Sequence, residues 1–290
     1  MFPTLLRIGN FAVHSYGLAI AVGFLISLYL MRRDARRVGI DPEYISNCAF
    51  WVLGLGIAGT RILYIVMFPD QFSWSDPVKW FAIWEGGLVF QGAIPPAIIF
   101  CVYYVRRNNI RTWTFADVVS PYVPFGHAFG RMGCFMYGCC YGARTDAFWG
   151  IAFPRVPQDL SQEAIGSPAY LSHRIHYGLT ADALWSFHVH PTQLYSAFAL
   201  LCMFGMLYAL RKRWHPFIGS TFPLYLLMYG VFRFMVEFLR DDHNPTHFGG
   251  VLSDQQIFAL LMAVAGAILF AILYRINPYG GPDAPDAPRF

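Results

Sequence analysis

Charge is what this 290-residue chain has least of. Asp, Glu, Lys and Arg make up 13% of it, where a soluble domain carries about a quarter. Hydrophobic residues reach 56% and the mean hydropathy is positive, so much of the surface has to face something other than water. No basic block is long enough for a nucleic-acid patch, which excludes that class of partner. The six cysteines lack the spacing of a secreted disulfide framework. Cys48, Cys101 and Cys202 sit inside apolar runs, whereas Cys134, Cys139 and Cys140 lie close together. A cleavable signal peptide is not expected. Arg7 precedes the first apolar run and four arginines follow it, which is the wrong polarity. There is neither an internal repeat nor an inverted symmetry between halves of the transporter kind.

What is present is a series of long apolar runs bounded by breakers. A bilayer core needs about 20 apolar residues per helical span, and seven runs qualify: roughly 11–31, 47–68, 82–105, 115–136, 193–210, 217–238 and 255–274. The third and fourth are irregular. One carries Gly92, Pro95 and Pro96, and the other Pro121, Pro124, Gly126, Gly130 and Gly133. Such backbone at membrane depth is tolerated where protein or a cavity covers it. The basic clusters Arg32-Arg33, Arg36-Arg37, Arg106-Arg107, Arg111, Arg211-Lys212-Arg213, Arg275 and Arg289 fall on one side if the spans number seven. The opposite loop 69–81 holds only Lys79. The positive-inside rule then gives an all-α polytopic membrane protein with its N-terminus outside (periplasmic) and its C-terminus cytoplasmic. Residues 1–279 are read as one integral-membrane catalytic domain. A small outer head, roughly 138–192, sits between spans 4 and 5, and 280–290 form a flexible tail rich in Gly, Pro and Asp.

Ionisable side chains inside spans are costly and point to function. Arg61, Arg131, Arg233 and Glu237 are such residues, with Arg240 just beyond. Arg61 has a structural reading, pairing with Glu85 or Glu237 to hold helices together. Arg233 and Glu237 are four apart and share a helix face. Arg131, Arg233 and Arg240 gather cationic charge toward the outer leaflet. Guanidinium groups offer planar bidentate donors that suit a phosphate, and phosphate at lipid depth means a phospholipid headgroup. Tyr16 fits either a headgroup contact or an interfacial aromatic anchor. The histidines near Cys139 and Cys140 fit no zinc spacing, so no metal and no cofactor is expected.

The stretch Gly130-Arg131-Met132-Gly133-Cys134-Phe135-Met136-Tyr137-Gly138-Cys139-Cys140-Tyr141-Gly142 resembles the motif of the prolipoprotein diacylglyceryl transferase family. Arg233-Phe234-Met235-Val236-Glu237-Phe238-Leu239-Arg240 resembles that family's R-x-x-x-E-F-x-R helix. Ser15-Tyr16-Gly17, Trp84-Glu85-Gly86-Gly87-Leu88-Val89-Phe90-Gln91-Gly92 and His190-Pro191-Thr192-Gln193-Leu194-Tyr195 resemble three further blocks. Five blocks in order cover nearly the whole chain. Departures accompany them. Cys134 stands where the family often has Asn, Cys139 where it often has Glu, Gln91 where some members carry a His, and Ser196 where an acid is common.

The resemblance implies an enzyme of the bacterial cytoplasmic (inner) membrane with its active site toward the outer leaflet. Its substrates would be phosphatidylglycerol and preprolipoprotein signal peptides bearing a lipobox cysteine, among membrane lipids. It would move the diacylglyceryl group to that thiol, forming a thioether and releasing glycerol phosphate. Arg131, Arg233 and Glu237 are the catalytic candidates. Arg131, Tyr16, Arg240, Gln91, Cys134 and His190 are the substrate-binding ones. The base is open among Glu237, His190, His127 and none at all, because a cationic field also lowers a thiol pKa. The competing readings are a non-catalytic phosphatidylglycerol-binding relative, an anion transporter, and another phospholipid-head transferase.

Overall fold

A computed structural model describes residues 4–8, 11–72, 76, 78–82, 86–155, 167–180, 182–213, 217–241, 247 and 249–276. The architecture is helical. One antiparallel hairpin precedes it, β1 (Thr4–Ile8) paired with β2 (Phe11–His14), in the register Thr4 to His14 and Ile8 to Phe11. The first expected span therefore starts late. Residues 11–14 form the second strand of the hairpin, and the helix begins at Ser15.

The helices are α1 (Ser15–Arg37), α2 (Pro42–Met67), α3 (Val78–Phe81), α4 (Ile94–Arg107), α5 (Thr112–Val119), α6 (Tyr122–Tyr137), α7 (Pro168–His176), α8 (Thr192–Arg213), α9 (Thr221–Glu237) and α10 (Asp254–Ile276). Four of them, α1, α2, α8 and α10, are long and apolar enough to cross a membrane. Local chemistry sets their ends. Asp41 caps α2 by accepting from the Glu43 N–H at 2.9 Å, with Pro42 in the first turn, where its missing donor costs nothing. Helix α1 ends on Arg36 and Arg37, which face the negative end of its dipole.

The other expected spans are shorter helices. The third is a 3-10 turn, Phe90–Ala93, leading into the 14-residue α4. The fourth is α5 and the 16-residue α6, broken at Ser120 and Pro121. The sixth is the 17-residue α9. The breaks fall at the Gly and Pro positions that made these runs irregular in sequence.

Two compact units are formed. One comprises Met1–Ser27 with Val119–Ala287, the other Leu28–Val118 with Pro288–Phe290. In the first, α6, α8 and α9 share a core of Ala128, Leu200 and Met203, packed by Met228, Tyr229 and Phe232. Helices α9 and α10 lie antiparallel and very close. A Cβ on Gly230 would meet the Ala259 carbonyl oxygen at 2.5 Å and the Ala263 nitrogen at 2.7 Å. Residues 139–155 and 167–190 build a small second core from Phe153, Ala169 and Val189, flanked by Phe135 and Tyr141. In it the fully buried His173 accepts the Phe187 N–H on Nδ1 at 3.1 Å.

In the second unit α2 packs on α4 and on the 3-10 turn. Arg61, 7% exposed, donates to the carbonyls of Lys79, Trp80, Gly86 and Gly87 and stacks on Tyr64 and Phe72. A guanidinium has five donors in a fixed fork, and here that fork closes a loop. Glu85, Trp84 and the tail 280–290 lie outside the described residues.

Two consequences are measurable. Gly230→Leu places a side chain against backbone, and overpacking of this kind costs about 1–3 kcal/mol; the thermal midpoint of the detergent-solubilised protein is expected to fall. Burial holds the His173 imidazole below its usual 6.5, with Arg144 adding to this and Asp241 opposing it. A depressed pKa contributes stability that is full above 6.5 and drains away as the pH falls from there toward the folded-state value. Unfolding followed by denaturant between pH 7 and 5 is expected to show that loss, and His173→Asn to lack it.

Candidate active site

The first unit holds every expected site residue except Gln91, which lies in the second unit's 3-10 turn. Helix α6 presents Gly126, Gly130 and Gly133 toward α1, one turn apart. Gly133 is the tightest, since a Cβ there would meet the Tyr16 ring at 3.0 Å and its Cα at 3.2 Å. Small residues let the two backbones approach, and this sets Tyr16 beside the end of α6. The Tyr16 hydroxyl is within electrostatic reach of Arg131 and of the Cys134, Cys139 and Cys140 thiols.

Arg131 lies one turn beyond His127 on α6 and donates from Nε to His127 Nε2 at 3.3 Å. That bond requires an unprotonated Nε2, so His127 acts as an aligning acceptor. Its ring packs against Tyr229 of α9, with centroids 5.6 Å apart. The Arg131 and Arg233 charges both act on this imidazole, which ties α6 to α9 at the site. Among the described residues no carboxylate is in ion-pair range of Arg131.

Helix α9 ends in a charge cluster. The Glu237 carboxylate, 2% exposed, pairs through Oε2 with Arg233 and, at 3.7 Å, with Arg240 Nε. Its other oxygen accepts from Ser253 Oγ at 3.1 Å. Both arginine side chains are about nine-tenths buried. The carboxylate is thus occupied on both oxygens. Two arginines against one acid, with Arg131 on the neighbouring helix, leave a net positive site.

The chain after α6 is held in place from two sides. Gly138 turns left-handed at φ 87° and its N–H returns to the Cys134 carbonyl at 2.8 Å, ending the helix as glycine does. Gly142 N–H donates to the His190 carbonyl at 2.9 Å and Ala143 N–H to the Leu239 carbonyl at 2.8 Å. A Cβ at Gly142 would lie within 2.7 Å of both those carbonyl oxygens. Thr192 Oγ1 donates to the Cys140 carbonyl at 2.8 Å and Gln193 Nε2 to the Cys139 carbonyl at 2.7 Å. The run at 190–195 therefore contributes chiefly through Thr192 and Gln193, which are not among the candidate site residues. Their cue was position, since hydroxyl and amide residues at the start of α8 can bond backbone outside their own helix. His190 places Nδ1 3.2 Å from the Tyr195 hydroxyl. The cysteines that lie close together in the sequence are also close in space. The Sγ atoms of Cys134, Cys139 and Cys140 all lie within 4.8 Å of one another.

This arrangement can bind an anion, since the Arg131 and Arg233 charges come from two helices and both act on His127, and Arg131 and Arg240 both act on Cys140. It offers no uncommitted carboxylate among the described residues of the cluster. Comparison with known proteins agrees with the motif blocks. The profile of the prolipoprotein diacylglyceryl transferase family matches residues 3–272. Phosphatidylglycerol–prolipoprotein diacylglyceryl transferase of Xylella fastidiosa (strain M12) is 31% identical over 295 residues, covering 97% of this chain and 96% of its own. The proteins of that name from Sodalis glossinidius and Vibrio cholerae are 32% and 34% identical, covering 95% and 96% of this chain and 94% and 93% of their own. With a match end to end at this identity, the chain belongs to the prolipoprotein diacylglyceryl transferase family.

Proposed function

We propose that this protein transfers the diacylglyceryl group of phosphatidylglycerol to the lipobox cysteine thiol of a preprolipoprotein, the first step of lipoprotein maturation. The observation that carries the assignment to these residues is the convergence of Arg131 with the Arg233–Glu237–Arg240 cluster beside Tyr16. In the reaction the acceptor sulfur forms a C–S bond to the glyceryl carbon as the C–O bond to phosphate breaks. Glycerol phosphate leaves with that oxygen, and the thiol proton is lost. Negative charge develops on the departing phosphate, and donors already aimed there lower the barrier without reorganising. Arg131 and Arg233 fill this role, His127 aligns Arg131, and Glu237 orients Arg233 and Arg240. Tyr16 and His190 line the substrate side. Cys134 stands at the end of α6 within the same region.

The same reading places the chain in the bacterial inner membrane with seven spans. The four long helices are then joined by the α4, α5–α6 and α9 segments, whose short helices are supported by protein. The N-terminus is outside, the basic clusters and C-terminus are cytoplasmic, and the site opens to the outer leaflet beneath a head of residues 138–192. Residues 1–279 act as one catalytic domain and 280–290 as a tail. The pairing of Glu237 with Arg233 and Arg240 at the end of α9 favours this over an anion transporter.

Four outcomes follow. Purified protein with phosphatidylglycerol and a lipobox peptide is expected to release glycerol phosphate and increase the peptide mass by a diacylglyceryl group. Arg131→Ala is expected to lose about 10²–10³-fold in turnover, the scale of one preorganised charge-stabilising donor. Lipid bound by the wild type without release would support the non-catalytic relative instead. Glu237→Gln is expected to lose less than the roughly 10²-fold or more that a general base supplies, and to keep the shape of the pH–rate profile. A vanished limb of that profile would make Glu237 the base. A fluorescent protein fused at the C-terminus is expected to fold in the cytoplasm of intact cells, as seven spans require.

A further inference from the structure

The three-thiol cluster at the end of α6 has no part in the phosphate clamp. Three sulfurs within 4.8 Å of one another are close to what a metal requires. At a Zn–S distance of about 2.3 Å, tetrahedral geometry puts ligand sulfurs about 3.8 Å apart. Small χ1 adjustments bridge that difference, since the backbone is already set. Gly138 and Cys139 N–H both return to the Cys134 carbonyl, which folds residues 138–140 back over Cys134. Cys140 adopts a left-handed φ of 57°. The Cys139 and Cys140 carbonyls are fixed by Gln193 and Thr192. Such outer hydrogen bonds are what orient ligands in metal sites.

Ligand number and charge add to this. Among the described residues the cluster contains three cysteines and no fourth His, Asp or Glu. Three protein ligands with a vacant position are the pattern of reactive sites rather than closed structural ones. Three thiolates around a divalent ion leave one net negative charge, and the Arg131 and Arg240 charges act on these sulfurs.

We propose that Cys134, Cys139 and Cys140 bind a thiophilic divalent metal ion whose remaining position takes the acceptor thiol. This rests on the proposed function, which supplies a thiol as the acceptor. Binding makes a metal–sulfur bond, breaks the S–H bond and gives the proton to solvent, with no change in oxidation state. A metal-bound thiol is held deprotonated, which answers the lack of an uncommitted carboxylate at the Arg233–Glu237–Arg240 cluster. Tyr16, 42% exposed, sits where the incoming sulfur would arrive.

The test uses the full-length protein in detergent, reduced and kept anaerobic, with Co2+ as the probe. Expected are one Co2+ per chain, sulfur-to-metal charge-transfer absorption and the visible bands of a tetrahedral ion. Cys134→Ser, Cys139→Ser and Cys140→Ser are each expected to weaken binding at least about tenfold, while Cys202→Ser does not. A chelator removing the bands from wild type gives the same answer without any variant. A lipobox peptide should shift the visible bands, and its serine counterpart should not. Absence of stoichiometric Co2+ with all three thiols titratable, a disulfide joining two of them that survives mild reduction, or bands indifferent to the cysteine peptide would each overturn the proposal. Glycerol phosphate release is followed in the same samples. Turnover by metal-free protein sinks the metal site and leaves the transferase. Metal and thiol binding without release from phosphatidylglycerol sinks the transferase and leaves the site.

Discussion

A carboxylate with almost no access to solvent, Glu237, is the constraint around which the catalytic unit is arranged. Leaving such a charge unpaired would cost several kcal/mol, so the chain surrounds it. Arg233 comes from one turn back on α9, Arg240 from just past its end, and Ser253 from the residue before α10. Satisfying one acid thus fixes two guanidinium groups and joins the end of α9 to the start of α10. The close approach of those two helices at Gly230 keeps the geometry from relaxing. Long arginine side chains lose considerable rotamer freedom when ordered. Here the ordering is done before any substrate arrives, which is the condition for electrostatic preorganisation.

The second arginine source reaches the site by a different route. Arg131 stands on α6, a helix whose other face is a row of glycines against α1. In a bilayer there is little hydrophobic drive between helices, and close backbone packing supplies the contact instead. The same row that brings Tyr16 to the end of α6 turns Arg131 toward α9, where His127 and Tyr229 meet. Where α6 stops, Gly138 releases the chain into a turn held by α8. This is why an arginine site and a thiol cluster lie within a few residues of each other. Helix packing makes the first, and a helix cap followed by two carbonyl clamps makes the second.

Legibility in the sequence followed the range of the forces involved. The four longest spans could be read because composition and length alone decide them. The broken segments were marked by Pro121, Gly92 and their neighbours, though not where each break would fall. The strand at Phe11–His14 was hidden by its own hydrophobicity, because a short apolar run reads equally as the start of a helix. Arg233 and Glu237 were paired on helical spacing, and the structure has them paired. Arg61 takes four carbonyls, an outcome set by a loop that folds back over 18 to 26 residues and that spacing along one helix does not reveal.

By itself the sequence determined that this is a helical membrane protein, that Arg61, Arg131, Arg233 and Glu237 lie inside its apolar runs, and which family it belongs to. Those properties rest on composition, on spacing within one helix and on motif order. Tertiary structure alone decided that His127, the partner of Arg131, packs on Tyr229 of α9, that Glu237 has both oxygens occupied, that Thr192 and Gln193 hold the turn after α6, and that three cysteines spread over seven positions become neighbours. Each of these depends on where separate helices are set against one another, and periodicity along a single chain carries no information about that.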